Sequence, residues 1–254
     1  MQRLKQAVQA TPLGPFAARI YRMIVPASTR AKFNQNIQYD LQTVEVMRRV
    51  LKPDSAALDI GAHRGDILKE MLVFAPKGRL FAFEPIPHLA KALRENFPTV
   101  DVKQLALSDA PGTSTFQYVV NAPAYSGLRP REYDRSDPVV EELTVQVETI
   151  DRVVPADVRV ALMKLDIEGG ELDAMRGGLE TIKRGRPIII FESGRRSPAY
   201  GTGPDDYLEF FDRIGYKLST MRWWLAGKPP YAPTAFRENW AKGPEYYFIA
   251  YPVA

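Results

Sequence analysis

A chain of 254 residues, 45% hydrophobic and 25% charged, is long enough to bury the core of one large α/β domain and has the composition of a globular protein. A net charge of +4 and a pI near 9.2 demand no nucleic-acid partner, and the absence of Cys excludes disulfides, thiolate nucleophiles and cysteine metal sites. No apolar run approaches the roughly 18 residues of a membrane span, and the first residues lack the apolar core of a secretory signal, so the expected location is cytoplasmic.

The first 40 residues are read as a basic helical extension ahead of a domain over 41–254. No acid precedes Asp40, whereas Arg3, Lys5, Arg19, Arg22, Arg30 and Lys32 alternate with apolar side chains. Such an arm suits packing on the domain, on a second copy in a homo-oligomer, or on an anionic membrane surface. Pro12, Pro15 and Pro26 divide it into short pieces. Apolar spacing then predicts a helix over 43–51, a strand over 56–61, a helix over 65–74 and a strand over 79–84. Pro87 opens a helix that runs to Asn96. Strands follow over 100–107 and 113–120, joined by turn residues 108–112. Residues 121–138 form a long loop carrying Tyr125 and Arg129, and such loops are often functional. The remaining elements are a strand over 143–150, a buried strand over 160–169, a helix over 170–185, a buried strand over 187–193, a helix over 204–215 and strands over 216–221 and 245–252. Segment 221–233 is read as an aromatic-rich loop containing Trp224. Strands alternating with helices imply a mostly parallel sheet covered on both faces, with a late strand inserted antiparallel.

The segment Asp59-Ile-Gly61-Ala62-His63-Arg64-Gly65, followed by Phe83-Glu84-Pro85, carries the most chemistry. A glycine turn after a strand lets backbone approach a ligand, and an acid at the end of the next strand suits the two hydroxyls of a ribose. The spacing is a poor pyrophosphate fingerprint, and Asp59 and Asp66 would repel phosphate. A nucleoside cofactor with a cationic amino-acid end, S-adenosylmethionine, fits better. Asp59, Glu84, Asp166 and Glu192 all fall near carboxyl ends of strands, where ligands bind in such sheets.

In order, these segments, Ala106-Leu107-Ser108-Asp109 with Gly112, the run ending at Asp151, Lys164-Leu-Asp166-Ile-Glu168-Gly-Gly-Glu171, Gly177 or Gly178, and the strand ending at Glu192 resemble the FkbM-like methyltransferases over roughly residues 40–195. The resemblance implies a Rossmann-like class I methyltransferase fold with a mostly parallel seven-stranded sheet and helices on both faces. It also implies S-adenosylmethionine as donor and O-methylation of a sugar or secondary-metabolite hydroxyl. The family usually has Asn where this chain has His63, a group that titrates near neutral pH.

The cofactor candidates are therefore Asp59, Gly61, Ala62, His63, Gly65, Glu84, Pro85, Ala106, Leu107 and Asp166. Candidate catalytic groups are Asp166, Glu168 and His63, with Lys164, Asp166 and Glu168 on one face if their strand runs that far. Acceptor contacts are assigned to Tyr125, Arg129, Glu192 and Trp224, with the loops 121–138 and 221–233 as a lid over a small-molecule or glycan acceptor. Hard oxygen ligands would suit Mg²⁺, but nothing in the sequence demands a metal. Two other readings are a nicotinamide-dependent oxidoreductase, disfavoured by the missing third glycine, and a methyltransferase-like binding module without activity.

Overall fold

The computed structural model describes residues 27–130, 137–194 and 200–253, so the reading of the arm up to Pro26 lies outside the described residues. The chain divides into two units, Met1–Leu41 and Gln42–Ala254. Helix α1 is Ala27–Val50. In the second unit, runs of apolar residues become strands buried on both faces: β1 (Ala56–Ile60), β2 (Leu80–Phe83), β7 (Val160–Leu165) and β8 (Ile188–Glu192). Continuous burial is what a parallel strand covered by helices requires.

Seven strands form one sheet in the order β3-β2-β1-β7-β8-β10-β9, where β3 is Asp101–Lys103, β9 is Tyr216–Ser219 and β10 is Tyr247–Pro252. β10 pairs antiparallel with both β8 and β9, and the remaining pairings are parallel. This is the Rossmann-like arrangement, with one reversed strand, that the resemblance implies. One face carries Leu58, Phe83, Met163, Leu165 and Phe191. It is covered by α5 (Glu171–Arg176), α6 (Leu179–Gly185), α7 (Pro204–Arg213) and α9 (Pro233–Lys242). Phe191 stacks on Tyr207 of α7 at 5.3 Å between ring centroids. Helix α2 (Asp66–Phe74) buries Leu68 and Met71 on the opposite face.

A smaller sheet, β4-β6-β5, stands apart, with β4 at Ala106–Leu107, β5 at Gly112–Val119 and β6 at Val140–Glu148. The single strand expected over 100–107 is therefore two strands in two sheets. β3 ends the large sheet, and two residues later β4 begins pairing with β6. The helix expected over 170–185 is two helices. Gly177 follows α5, and a Cβ there would lie 2.1 Å from the Ser108 carbonyl oxygen, so glycine lets the chain pass close to the end of β4. The strand expected over 160–169 stops at Leu165. Glu168 (φ 65°) and Gly169 (φ 118°) turn the chain, and the Glu171 carboxylate accepts the Ile167 and Gly169 N–H groups at 2.9 and 3.2 Å. Segment 221–233 is not one loop. It holds helix α8 (Met221–Leu225) and the start of α9, which the sequence reading missed. Helix α3 (Pro87–Asn96) starts at its proline as expected, and α4 (Ile150–Val153) is a single turn.

Candidate cofactor and acceptor site

Parallel register aligns the carboxyl ends of β1, β2 and β7 at one rim, pairing Ile60 with both Phe83 and Leu165. The turn after β1 is fastened to that rim, since the Gly61 and Ala62 N–H groups donate to the Phe83 carbonyl at 3.0 and 3.1 Å. Above the rim lies a cleft. Gly61, His63, Glu84, Pro85, Asp166 and Glu168 line its large-sheet side, and Ala106, Leu107 and Phe116 line its small-sheet side. Pro123, Ala124, Ser126 and Leu128, from the loop after β5, continue the second wall.

The two glycines serve the chain itself. Both have φ near +81°, a conformation costly for other residues. A Cβ on Gly61 would lie 2.0 Å from the Asp166 carbonyl oxygen, and one on Gly65 2.4 Å from the Phe97 ring. At both positions a side chain would meet neighbouring chain, and Gly61 also lines the cleft. Gly65, Ala62 and Asp59 do not line the cleft but lie behind its wall.

Glu84 is 3% exposed. Its two carboxylate oxygens each accept one backbone N–H, from His63 at 2.8 Å and from Ile86 at 2.9 Å. Each oxygen keeps a lone pair for a further donor. Burial pushes its pKa up to about 7, against the two backbone hydrogen bonds that favour the charged form. His63 sits in the left-handed region (φ 49°), which His tolerates better than most side chains. Burial, and then the charge of Arg64, lowers its pKa, so the imidazole is neutral at pH 7. Its Nε2 is covered and has no hydrogen-bond partner among the described residues.

Asp166 is the third anchor. Lys164 Nζ lies 3.2 Å from its Oδ2 and 3.8 Å from Asp59 Oδ1. The Tyr247 hydroxyl donates to the same Oδ2. Burial opposes the charge of Asp166, but Lys164, Glu192 and Tyr247 overcome it and hold the carboxyl well below its ordinary range. Asp59 is fully buried, and burial raises its pKa against the attraction of Lys164. Ligand atoms of Asp166, Glu168 and Glu192 lie within 4.8 Å of one another, with Lys164 as a resident counter-charge.

The acceptor candidates divide. Ala124 and Ser126 line the cleft while Tyr125 between them does not, and Arg129 is exposed beyond it. Glu192 is buried beside Asp166 rather than on the wall. Trp224 lies against Tyr251, 6.5 Å between ring centroids, and lines no part of the cleft, because α8 follows β9 at the sheet's far edge. The lid expected from two loops thus has one described contributor. Tyr200, whose hydroxyl accepts the Leu128 N–H at 3.1 Å, lines the cleft without having been foreseen, as do Phe116, Ile86 and Leu105. Alternation along 113–120 marks Phe116 as inward-facing, but its destination depends on the second sheet.

A model of the FkbM methyltransferase domain matches residues 59–218. The chain belongs to the FkbM methyltransferase family. The 2-O-methyltransferase NoeI of Sinorhizobium fredii is 28% identical over 181 residues, covering 62% of this chain and 72% of NoeI. The AMB antimetabolite synthetase AmbE of Pseudomonas aeruginosa is 25% identical over 208 residues, and the match spans 67% of this chain and 10% of AmbE. A solved FkbM methyltransferase from Methylobacillus flagellatus KT superposes with a TM-score of 0.49 at 15% identity, covering 79% of this chain and 44% of that one.

One segment shared with the FkbM family has a structural task. Asp151 accepts the Glu180 and Thr181 N–H groups at 3.0 and 2.7 Å, satisfying the first turn of α6. Asp151→Ala should cost about 1–2 kcal/mol, the range for losing a helix N-terminal partner. Urea unfolding should record that loss, while ligand binding at the cleft stays unchanged.

Proposed function

We propose that this FkbM-family chain transfers a methyl group from S-adenosylmethionine to a hydroxyl oxygen of a sugar or secondary metabolite. The observation that carries the reading is Glu84. Its carboxylate stands at the end of β2, is gripped by two backbone N–H groups, and has lone pairs left toward the cleft. That suits the paired hydroxyls of a ribose. Ile86, Leu107 and Phe116 form apolar wall nearby for a planar base, and Asp166 offers a fixed negative charge for an ammonium group. Asp166 and Glu84 on the cleft wall, with no Lys or Arg lining it among the described residues, disfavour a pyrophosphate-containing dinucleotide.

When bound, the sulfonium supplies an already activated methyl group, so the chain's work is alignment and exclusion of water. Asp166, held ionised from behind, is a weak base and a good anchor. His63 and Glu168, both on the cleft wall, are the groups suited to take the acceptor's proton, His63 through the nitrogen other than its covered Nε2. The wall from Pro123 to Leu128 faces the rim across the cleft and is the place for a small-molecule or glycan acceptor. No described helix is long and apolar enough to cross a membrane; the reading places the protein in the cytoplasm.

Calorimetric titration with S-adenosylmethionine and with NAD⁺ tests the donor. Saturable binding of the first alone is expected, and binding of NAD⁺ alone would overturn the reading. Transfer of labelled methyl into a panel of oligosaccharides and hydroxylated metabolites tests the enzyme; tight donor binding with no transfer to any of them would favour a binding module.

A further inference from the structure

One face of the large sheet carries a polar row across four strands. Asp59 on β1 is in register with Lys164 on β7, Lys164 with Ile190 on β8, and Glu192 with Tyr247 on β10. Residues two apart on a strand share a face, so Asp59, Lys164, Glu192 and Tyr247 all point the same way. The opposite face of the same stretch is apolar, with Leu58, Leu165 and Phe191. The row converges on Asp166, whose Oδ2 takes both the Lys164 ammonium and the Tyr247 hydroxyl. Asp166 alone of the row lines the cleft; its side chain is 29% exposed, against 8% for Lys164 and 1% for Asp59.

A buried ion pair stabilises little on balance, because desolvation offsets its attraction. This one is also loose as a structural device, since the fully buried Asp59 meets Lys164 only at 3.8 Å and has the Leu68 N–H as its other donor. What the row does accomplish is to fix one carboxylate that faces the cleft. We infer that Tyr247 is a positioning residue for the cofactor's ammonium group: together with Lys164 it sets the charge and aim of the Asp166 carboxylate, which makes the contact. The inference rests on the S-adenosylmethionine reading and adds to it a residue from the antiparallel last strand, outside the matched 59–218 segment. The hydroxyl carries the role, because it is the hydroxyl that donates to Asp166.

Other charged groups face Asp166 too. Lys164 and Asp59 act from the sheet, Glu192 from β8, Glu168 and Glu171 from the turn and α5, and His63 from the turn after β1. The experiment therefore compares variants at one pH, above the titration of Glu84. S-adenosylmethionine affinity is measured by calorimetry at pH 8 for wild type and Tyr247→Phe, with turnover at saturating donor alongside. In the variant, donor Kd should rise about threefold to tenfold, the range expected when a charge-assisted hydrogen bond to the anchor is lost. Turnover at saturation should change less than Kd. An unchanged Kd, even with a lower Tm, would make Tyr247 a structural residue only and overturn the inference. Wild-type protein that binds no S-adenosylmethionine would overturn the cofactor reading first, and this inference with it. Should Tyr247→Phe not fold, 3-fluorotyrosine at position 247 keeps the ring and makes the hydroxyl a stronger donor. It should change donor Kd more than turnover at saturation, and an unchanged Kd would again overturn the inference.

Discussion

Gly61→Val should destabilise the protein by about 3 kcal/mol or more before any ligand is added, lowering Tm by roughly 6–12 °C for a domain of this size. Two costs combine. The residue's φ of +81° puts a β-branched side chain in a conformation that L-residues avoid, at about 1–2 kcal/mol. The new Cβ would also fall 2.0 Å from the Asp166 carbonyl oxygen and 3.1 Å from Ile167 Cγ2, forcing apart the ends of β1 and β7. Gly112→Ala is the control: nothing lies within 4 Å of a Cβ there and its φ is not left-handed, so its melt should match wild type within about 0.5 kcal/mol. A Gly61→Val protein with wild-type Tm and lost donor binding would instead make the turn a ligand contact.

Glu84→Gln should weaken donor affinity at least about tenfold, equivalent to about 1.4 kcal/mol. The amide replaces one acceptor oxygen with a donor. That nitrogen must face either a ribose hydroxyl or one of the two backbone N–H groups that Glu84 now satisfies, and an unpaired buried N–H costs about 1–3 kcal/mol. The pH dependence has a definite sign. Burial raises the Glu84 pKa from 4.5 to about 7, so between those values the folded, ligand-free protein holds a proton that the unfolded chain has released. Its contribution to stability is therefore largest at low pH and declines as pH rises from about 4.5 to about 7, and Glu171, raised for the same reason, acts in the same direction. Ribose hydroxyls donate to the ionised carboxylate, so donor affinity should climb between about pH 6 and 7.5 and then level off. In Glu84→Gln that component should vanish. Calorimetry across this range checks both variants, and an affinity that ignores the substitution would remove Glu84 from the site.

Much of the large sheet was legible because its strands are both apolar and punctuated. Val160–Leu165 is apolar but for Lys164 and is followed by Asp166, and Ile188–Glu192 is an apolar run that ends in an acid; runs of this length between turn signals read as buried strands. Glu84 and Asp166 were legible as rim groups for the same reason, since strand ends in parallel sheets share one edge. What failed depends on contacts between distant segments. Nothing in VDVKQLAL marks Gln104-Leu105 as the passage between two sheets, because both halves alternate. Gly177 reads as a tolerated helix glycine until Ser108 is known to press against it. Trp224 looked like a sugar platform by composition, yet α8 carries it to Tyr251. Tyr247 was read only as part of a strand. Its hydroxyl meets Asp166, 81 positions earlier, through a register that no local pattern encodes.

The cleft has two walls drawn from separate hydrogen-bonded sheets, one holding Glu84 and Asp166 and the other ending in the turn at Pro123–Tyr125. No backbone ladder joins β5 to the large sheet among the described residues. The two walls are therefore free to diverge at different rates. Insertions or substitutions in the β5–β6 hairpin can reshape one side of the cleft without disturbing a single hydrogen bond of the strand ends on the other. A scaffold divided in this way can exchange its customers while keeping its tool.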